Sequence, residues 1–456
     1  MAITNHRYKS RNIMIVVGIQ IIMLNLLLLW SDFPTLSTAF SMDRLIVPHN
    51  YCISSNLIQY MTKTAKKKKT NKKIRNNNNR SSGLKGFGSV GGVTKDKQVD
   101  IDRSNEARLF YDFVEEGSAG DNFSRCAIGN LPLELNNNVL QIRGIAALKP
   151  VKKGDNIIRI PYELAVNLGE EGTDPTIPAV VFLKDYCETL VSLSSSPAED
   201  NAVENTKISG KAAYYQMLPP FRGDDCMSCI DFFSVRALTE LQFPLIVEET
   251  KKRKEWTSTR FRSEIANNVN FPKWIDGSPV TEEQLTWAVW LITSRVLTVQ
   301  GGAEEGKSYR LLIPFLDMCN HDRSSPHILT GRAVPGGELK VVAGASIKEG
   351  DAINICYGGG VAGNDRFLQD YGFLDTSSNN EAYNIVAQQL LGKRRMVEGV
   401  GAGNFMSESD RLRTMEQLDL TTWEEDTYLL EKETDPSVIT AYNYRIGIKK
   451  FLNANI

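Results

Sequence analysis

Residues 301–322 read "GGAEEGKSYRLLIPFLDMCNHD". The first eight satisfy G-x-x-x-x-G-K-[ST], the phosphate-binding loop of ATPases and GTPases. Such a loop is entered from a strand and left by a helix whose N-terminal N–H groups hold the phosphates. Here the order is inverted. Upstream, "EEQLTWAVWLITSRVLTV" sets Leu285, Ala288, Val289, Ile292 and Val296 at helical spacing. Downstream, Pro314 falls where the phosphate helix would continue, and a proline there costs about 3 kcal/mol. Glu304 and Glu305 would also face a triphosphate with like charge. The eight residues are expected to form a solvated polar loop from a helix to a strand, and "YRLLIPFLDMCNHD" decides the fold.

With 456 residues there is room for two or three domains. The net charge of −1 hides an asymmetry: residues 1–100 hold 16 Lys/Arg against 4 Asp/Glu, the remainder 37 against 50. An acidic folded portion argues against general nucleic-acid binding, so the basic N-terminus reads as an address. Residues 1–40 have a basic start, an apolar run at 13–30 and small residues before Phe40. This is the pattern of a signal peptide, or of an anchor that holds the chain at a membrane if uncleaved. Residues 41–104, with "KKKKTNKKIRNNNNRSSG", cannot bury a core and are expected to be disordered. Together the two segments resemble the bipartite presequence of algae whose plastids lie inside an extra membrane system. A membrane-anchored secretory-pathway protein with a basic stalk is the alternative. Cys226 and Cys229 form a single C-x-x-C without a second pair at zinc spacing and read as loop thiols; no metal is expected.

From about residue 120, short strand-like runs alternate with turns. Lys153-Gly154-Asp155 separates two β-rich runs, and Gly350-Asp351 breaks another alternating run into an expected hairpin. Residues 166–285 are largely helical in pattern, with "YYQMLPPFRGD" among them, and helical patterns return after residue 379.

"WAVWLITSRVL", "LLIPFLDMCNH", "IKEGDAINICYGG" and "NDRFLQDYGFLD", in that order, resemble the SET-domain protein methyltransferases. The nearest branch in pattern is the Rubisco large-subunit lysine methyltransferase group, whose SET domain is split by a helical insert. "AAYYQMLPPFRGDDCMSCIDFFSVRALTEL" is similar to that insert. The resemblance implies an α+β fold: a mostly-β knotted SET core over 105–378 with a helical insert at about 166–285. A short helical substrate-binding-like domain over 379–456 would follow. It also implies S-adenosyl-L-methionine as cofactor and a protein substrate, such as the Rubisco large subunit of a plastid, acted on by a monomer.

The chemistry asks for these residue types. The cofactor carries its methyl on a sulfonium, and an amine must meet it in line, so the protein mainly positions and desolvates. By resemblance, Arg295 matches the arginine that meets the cofactor's carboxylate, a task suited to its fork. Asn320 and His321 match the pair that holds the cofactor, His321 being neither base nor metal ligand. Arg143 and Gly144, in "QIRGI", match the first cofactor motif. Tyr357 matches the catalytic tyrosine beside the transferred methyl. Tyr371 and Phe373 match the aromatic wall shared by substrate channel and adenine pocket, and Asp317 matches an acidic residue near the substrate. Singly, each is an ordinary core tyrosine, surface arginine or turn; their co-occurrence in order makes the case.

Two points bear on activity. Ile142 stands where the family's first motif has a glycine, so its side chain could crowd the cofactor's methionine end. A catalytically weak or inactive SET-fold binding module is therefore an alternative. One branch of the family methylates histidine and shares "DMCNH". It carries tryptophan before the Asp and asparagine two residues past the helix arginine, and lacks the tyrosine of "YGF". Here those positions are Leu316, Leu297 and Tyr371, and the two leucines are expected to line a channel for an alkyl-amine stem. Lysine is the expected acceptor.

Overall fold

A computed structural model describes residues 99–118, 125–135, 138–195, 210–302, 306–376, 378–393 and 406–455. The apolar run at 13–30, Phe40 and the basic stretch to residue 98 lie outside the described residues. Among the described residues, no helix is long and apolar enough to cross a membrane.

The architecture is α+β, with more helix than strand among the described residues. Among the described residues, three antiparallel sheets of three strands each make the β portion. In the first, β1 (Asp100–Ile101), β2 (Cys126–Leu135) and β3 (Asn138–Ala147) lie in that order. The second runs β4 (Asn156–Pro161), β9 (Glu338–Val342), β8 (Ile328–Thr330), and the third β5 (Val166–Glu170), β7 (Ser308–Leu312), β6 (Leu297–Gln300). Helix α1 (Asn105–Ser118) buries Ala107, Phe110 and Val114, an i, i+3, i+7 stripe, in the main core. Its start is capped by the Ser104 hydroxyl, which accepts from Ala107 N–H at 3.1 Å.

Between β5 and β6 lie the helices α2 (Thr176–Ser195), α3 (Val235–Glu240), α4 (Pro244–Arg260) and α5 (Glu282–Arg295). Val166–Glu170 is a strand paired with β7, so helical structure begins at Thr176 rather than at 166. Helix α5 starts at a reciprocal cap: Thr281 Oγ1 accepts from Gln284 N–H, and Gln284 returns the bond to Thr281 N–H. A second buried cluster joins Phe233, Leu241 and Ile246 to Val386, Val438 and Tyr444. The later helices α6 (Glu381–Leu390), α7 (Glu408–Leu418), α8 (Trp423–Leu430) and α9 (Pro436–Asn455) thus pack on α3 and α4.

Two local expectations need correcting. Helix α5 ends at Arg295, and Val296 is already extended. Leu297–Gln300 then pairs with β7, from Leu297↔Leu311 to Gln300↔Ser308. β6 and β7 are therefore the two arms of a hairpin, with Gly301 N–H donating to Lys307 O at 2.9 Å, and the segment between them joins strand to strand rather than helix to strand. The β-branched Val296, Thr298 and Val299 favour this. The run around Gly350-Asp351 is likewise not a hairpin. Its first half is β9; after the turn, Ala352 bridges Ala146 and Ile355 bridges His321. Ile353 N–H donates to Ile145 O at 2.8 Å, and Ile355 N–H to Asn320 O at 2.9 Å. Ile353 and Ile355 are buried; Tyr357 continues the same alternation two residues after Ile355.

Candidate active site

The chain enters the site through a sharp bend. After β7, Phe315 adopts φ 70° and ψ −42°, and Leu316 N–H donates to Pro314 O at 2.8 Å across it. This is a γ-turn at a fully buried non-glycine residue, a strained conformation found where a site dictates geometry. It delivers the helical turn Leu316–Met318 and then Asn320-His321.

Asp317 is the pivot of this turn. Its side chain is fully enclosed; Oδ2 accepts from Tyr214 Oη at 3.1 Å, while Oδ1 has no hydrogen-bond partner. Arg295, at the end of α5, gives Nη1 to the Asp317 carbonyl at 2.9 Å, with Oδ2 at 3.8 Å. Among the described residues its Nε and Nη2 bond no protein group, so part of the fork is available to an anion. Burial raises the Asp317 carboxyl to about 6, against the pull of Arg295, Tyr214 and Arg143.

Asn320 and Gly144 meet. Asn320 Nδ2 donates to Arg143 O at 2.9 Å, and a Cβ on Gly144 would lie 2.5 Å from that nitrogen. Glycine is thus required for the asparagine's approach. Arg143 Nη1 donates to Met217 O at 2.6 Å, tying β3 to the helical segment. Ile142 shares the Gly144 face of β3 by strand alternation and is 37% exposed.

His321 Nδ1 accepts from Tyr357 N–H at 3.0 Å, so its Nε2–H faces Asp375 Oδ2 at 3.4 Å. Its ring packs on Phe367 (4.7 Å between centroids), Tyr357 (5.2 Å) and Phe373 (6.0 Å). Tyr371 stacks on Tyr357 at 5.0 Å and 26°. Tyr357 Oη donates to Cys319 O at 2.6 Å, leaving its lone pairs free to accept. Desolvation pushes its phenol above the ordinary value, against the pull of Arg295, which keeps the hydroxyl protonated at neutral pH.

The structure thus brings Tyr357, Tyr371, Phe373 and His321 into one aromatic cluster. Arg295, Asp317, Asn320, Arg143 and Gly144 form a polar cluster along the 317–321 segment. Leu316 is buried within the main core. Leu297 is half-buried on β6, packed against the same core. Cys226 and Cys229 are both buried rather than loosely packed; Cys226 lies in the short helical turn Asp224–Met227 and Cys229 precedes the turn Ile230–Phe232.

Several supports were not singled out in the sequence. Arg323 donates to Asp375 Oδ2, Gly360 O and Ala362 O, each at 2.8 Å, and so pins the glycine turn after Tyr357. Asn364 exchanges side-chain bonds with the Asp375 backbone, Nδ2 to O at 3.1 Å and Oδ1 from N–H at 2.7 Å. Asn364 and Asp375 are the two ends of "NDRFLQDYGFLD", and that was the available signal. Tyr214 carried none beyond its place in "AAYYQMLPP".

No family model matches the chain. In sequence it is similar, at 22% identity over 258 residues, to the ribulose-1,5 bisphosphate carboxylase/oxygenase large subunit N-methyltransferase, chloroplastic, of Pisum sativum. The match takes in 54% of this chain and 48% of the relative, so the chain spans about half the length of the curated relative it matches. Among solved structures it is similar to the SET domain of LSMT bound to lysine and AdoHcy (TM-score 0.47, 16% identity, 77% of this chain and 90% of that one). It is also similar to Rubisco LSMT bound to AdoMet (TM-score 0.45, 16% identity, 77% and 90%). The resemblance carried by the motifs is thus to the same group as the sequence relative.

Proposed function

We propose that this chain transfers a methyl group from S-adenosyl-L-methionine to a lysine side chain of a protein substrate, through a SET-type core. The observation that carries the reading is the stacked pair Tyr357–Tyr371 next to a segment whose Arg295 holds free donors. The residues present fit the cofactor: a half-engaged guanidinium for its carboxylate, and Asn320, His321 and Phe373 beside a glycine-opened strand. When bound, it supplies an electrophilic methyl on a sulfonium.

The remaining work falls to the chain. Tyr357 Oη, its proton committed to Cys319 O, accepts a hydrogen bond from the incoming nitrogen and orients it. As a protonated phenol it is not a phenolate base, so the lysine ammonium, with an ordinary pKa near 10.4, gives its proton to water before attack. Two tyrosine faces suit a cationic nitrogen on arrival. The stacked pair Tyr357–Tyr371 supports lysine over histidine. Residues 1–100 are proposed to address the chain to a plastid, supported by their basic, acid-poor composition.

Methyl-labelled cofactor, the full chain and a plastid extract test the proposal together. A labelled protein whose mark maps to lysine by mass spectrometry is expected; a mark on histidine alone would refute the acceptor. A second reading, a binding module without transfer, is favoured by the exposed Ile142 on the Gly144 face. Titration calorimetry with S-adenosyl-L-methionine separates the two, since that module would give no heat.

A further inference from the structure

Tyr371 does not sit on an ordinary helix. Phe367–Tyr371 is a single π turn, closed by Gly372 N–H donating to Phe367 O at 3.0 Å. Such turns carry one residue more than an α-helix accommodates and recur at functional sites. Something must hold this one in register. Two of its carbonyls, those of Gln369 and Tyr371, face the helical segment between β5 and β6, and one side chain there reaches the turn repeatedly.

We propose that Arg253, on α4, is a positioning residue that locks the π turn and thereby sets the Tyr371 ring against Tyr357. The inference rests on the functional reading above. Arg253 is buried, and its three nitrogens converge on the turn and its backing. Nη2 donates to Gln369 O at 2.8 Å, and Nη1 lies 3.6 Å from Asp370 Oδ1. Nε donates to Asp231 Oδ1 at 2.9 Å. Asp231 Oδ2 in turn accepts from Cys229 Sγ at 3.5 Å. The Cys229 backbone abuts the end of the turn: a Cβ on Gly372 would lie 3.2 Å from Cys229 N and Cα. Gly372 is left-handed, φ 81°, so this seat is specific to glycine. Trp290 Nε1, 3.5 Å from Tyr371 O, completes the grip from α5.

A buried guanidinium is a poor means of adding stability, because an apolar side chain of similar volume often does as well. What it adds here is a fixed distance between α4 and two consecutive residues of the turn. The helical segment then does more than flank the core: it shapes one wall of the aromatic cluster.

Full-length Arg253→Met and Arg253→Lys test this beside the parent chain, by hydrogen exchange, calorimetry with S-adenosyl-L-methionine, and transfer to the acceptor labelled in the extract. For Arg253→Met, amides 368–372 should exchange at least about tenfold faster while those of α9 hold. Transfer should fall at least about tenfold, with cofactor Kd within about threefold, as loss of one positioning contact predicts. Arg253→Lys, which keeps charge but not the fork, should recover part of both. Unchanged exchange at 368–372, or faster exchange with undiminished transfer, overturns the proposal. If Arg253→Met fails to fold, Arg253→Lys carries the same comparison. If the parent chain transfers no methyl, the functional reading fails instead, and the exchange comparison alone decides whether Arg253 locks the turn.

Discussion

Tyr357 and Asp317 show how far single residues can be pressed. Tyr357→Phe removes one hydroxyl and its bond to Cys319 O. The ring stack with Tyr371 should survive, so the fold persists while kcat drops about 10²-fold, typical for one preorganised group. Near-normal turnover would remove Tyr357 from the mechanism. Asp317 makes a separate prediction through pH. Burial lifts its carboxyl from an ordinary 3.8 to about 6, so the folded state binds the proton more tightly than the unfolded chain. Its contribution to stability is therefore full below about pH 4 and is lost as pH rises through about 6. A shift of that size corresponds to about 3 kcal/mol. Asp317→Asn cannot titrate. Its stability relative to the parent, from urea unfolding, should rise between about pH 4 and pH 7 and then level off. A difference flat across that range would mean that Asp317 titrates normally. The sequence marked Asp317 only through its motif. That it is walled in, half-partnered and reached by Tyr214 depends on contacts more than a hundred residues apart along the chain.

At the scale of elements, local signals read well where neighbours along the chain decide the outcome and poorly where distant ones do. The stripe Leu285, Ala288, Val289, Ile292 gave α5 because helical spacing and a cap are local. Its last residue was misread because Val296 is already extended, leading into the four residues that β7 captures, Leu297–Gln300. The same competition undid the expected hairpin at Gly350-Asp351: "AINIC" finds partners on β3 and beside Asn320 instead. The phosphate-loop lookalike is now a hairpin end, with the exposed Lys307 paired to Glu170 on β5. An exposed pair of this kind contributes about 0–1 kcal/mol. Lys307→Ala should thus leave cofactor binding and transfer within about twofold. Loss of nucleotide binding in that variant would revive the reading excluded at the outset.

Over the whole molecule, the sequence pattern divides core, insert and C-terminal helices, whereas packing joins the last two. The reason lies in a buried charge cluster that no local pattern announces. Asp426, fully enclosed on α8, accepts from Arg445 Nη2 at 2.6 Å and from Lys449 Nζ at 2.7 Å, both on α9. Arg445 Nη1 then reaches across to Glu240 at the end of α3, donating to its carbonyl at 2.8 Å and to Oε2 at 2.7 Å. Lys449 also donates to Gln242 Oε1 at 2.9 Å. Around this cluster lies the apolar set that includes Phe233 and Ile246 on one side and Val438 and Tyr444 on the other. Asp426→Ala would leave two cations buried without their shared anion, a loss of about 3–5 kcal/mol. If the two groups of helices share one core, that loss should be felt on both sides. Hydrogen exchange should accelerate across α3 and the start of α4 as much as across α8 and α9, and thermal unfolding should remain one transition at lower temperature. Asp426→Ala combined with Arg445→Met and Lys449→Met should recover much of the loss, because the charge then left without its partner, Glu240, is partly exposed rather than buried. Acceleration confined to α8 and α9, with α3 still protected, would mean that the C-terminal helices fold and melt by themselves, and the single-core account would be wrong.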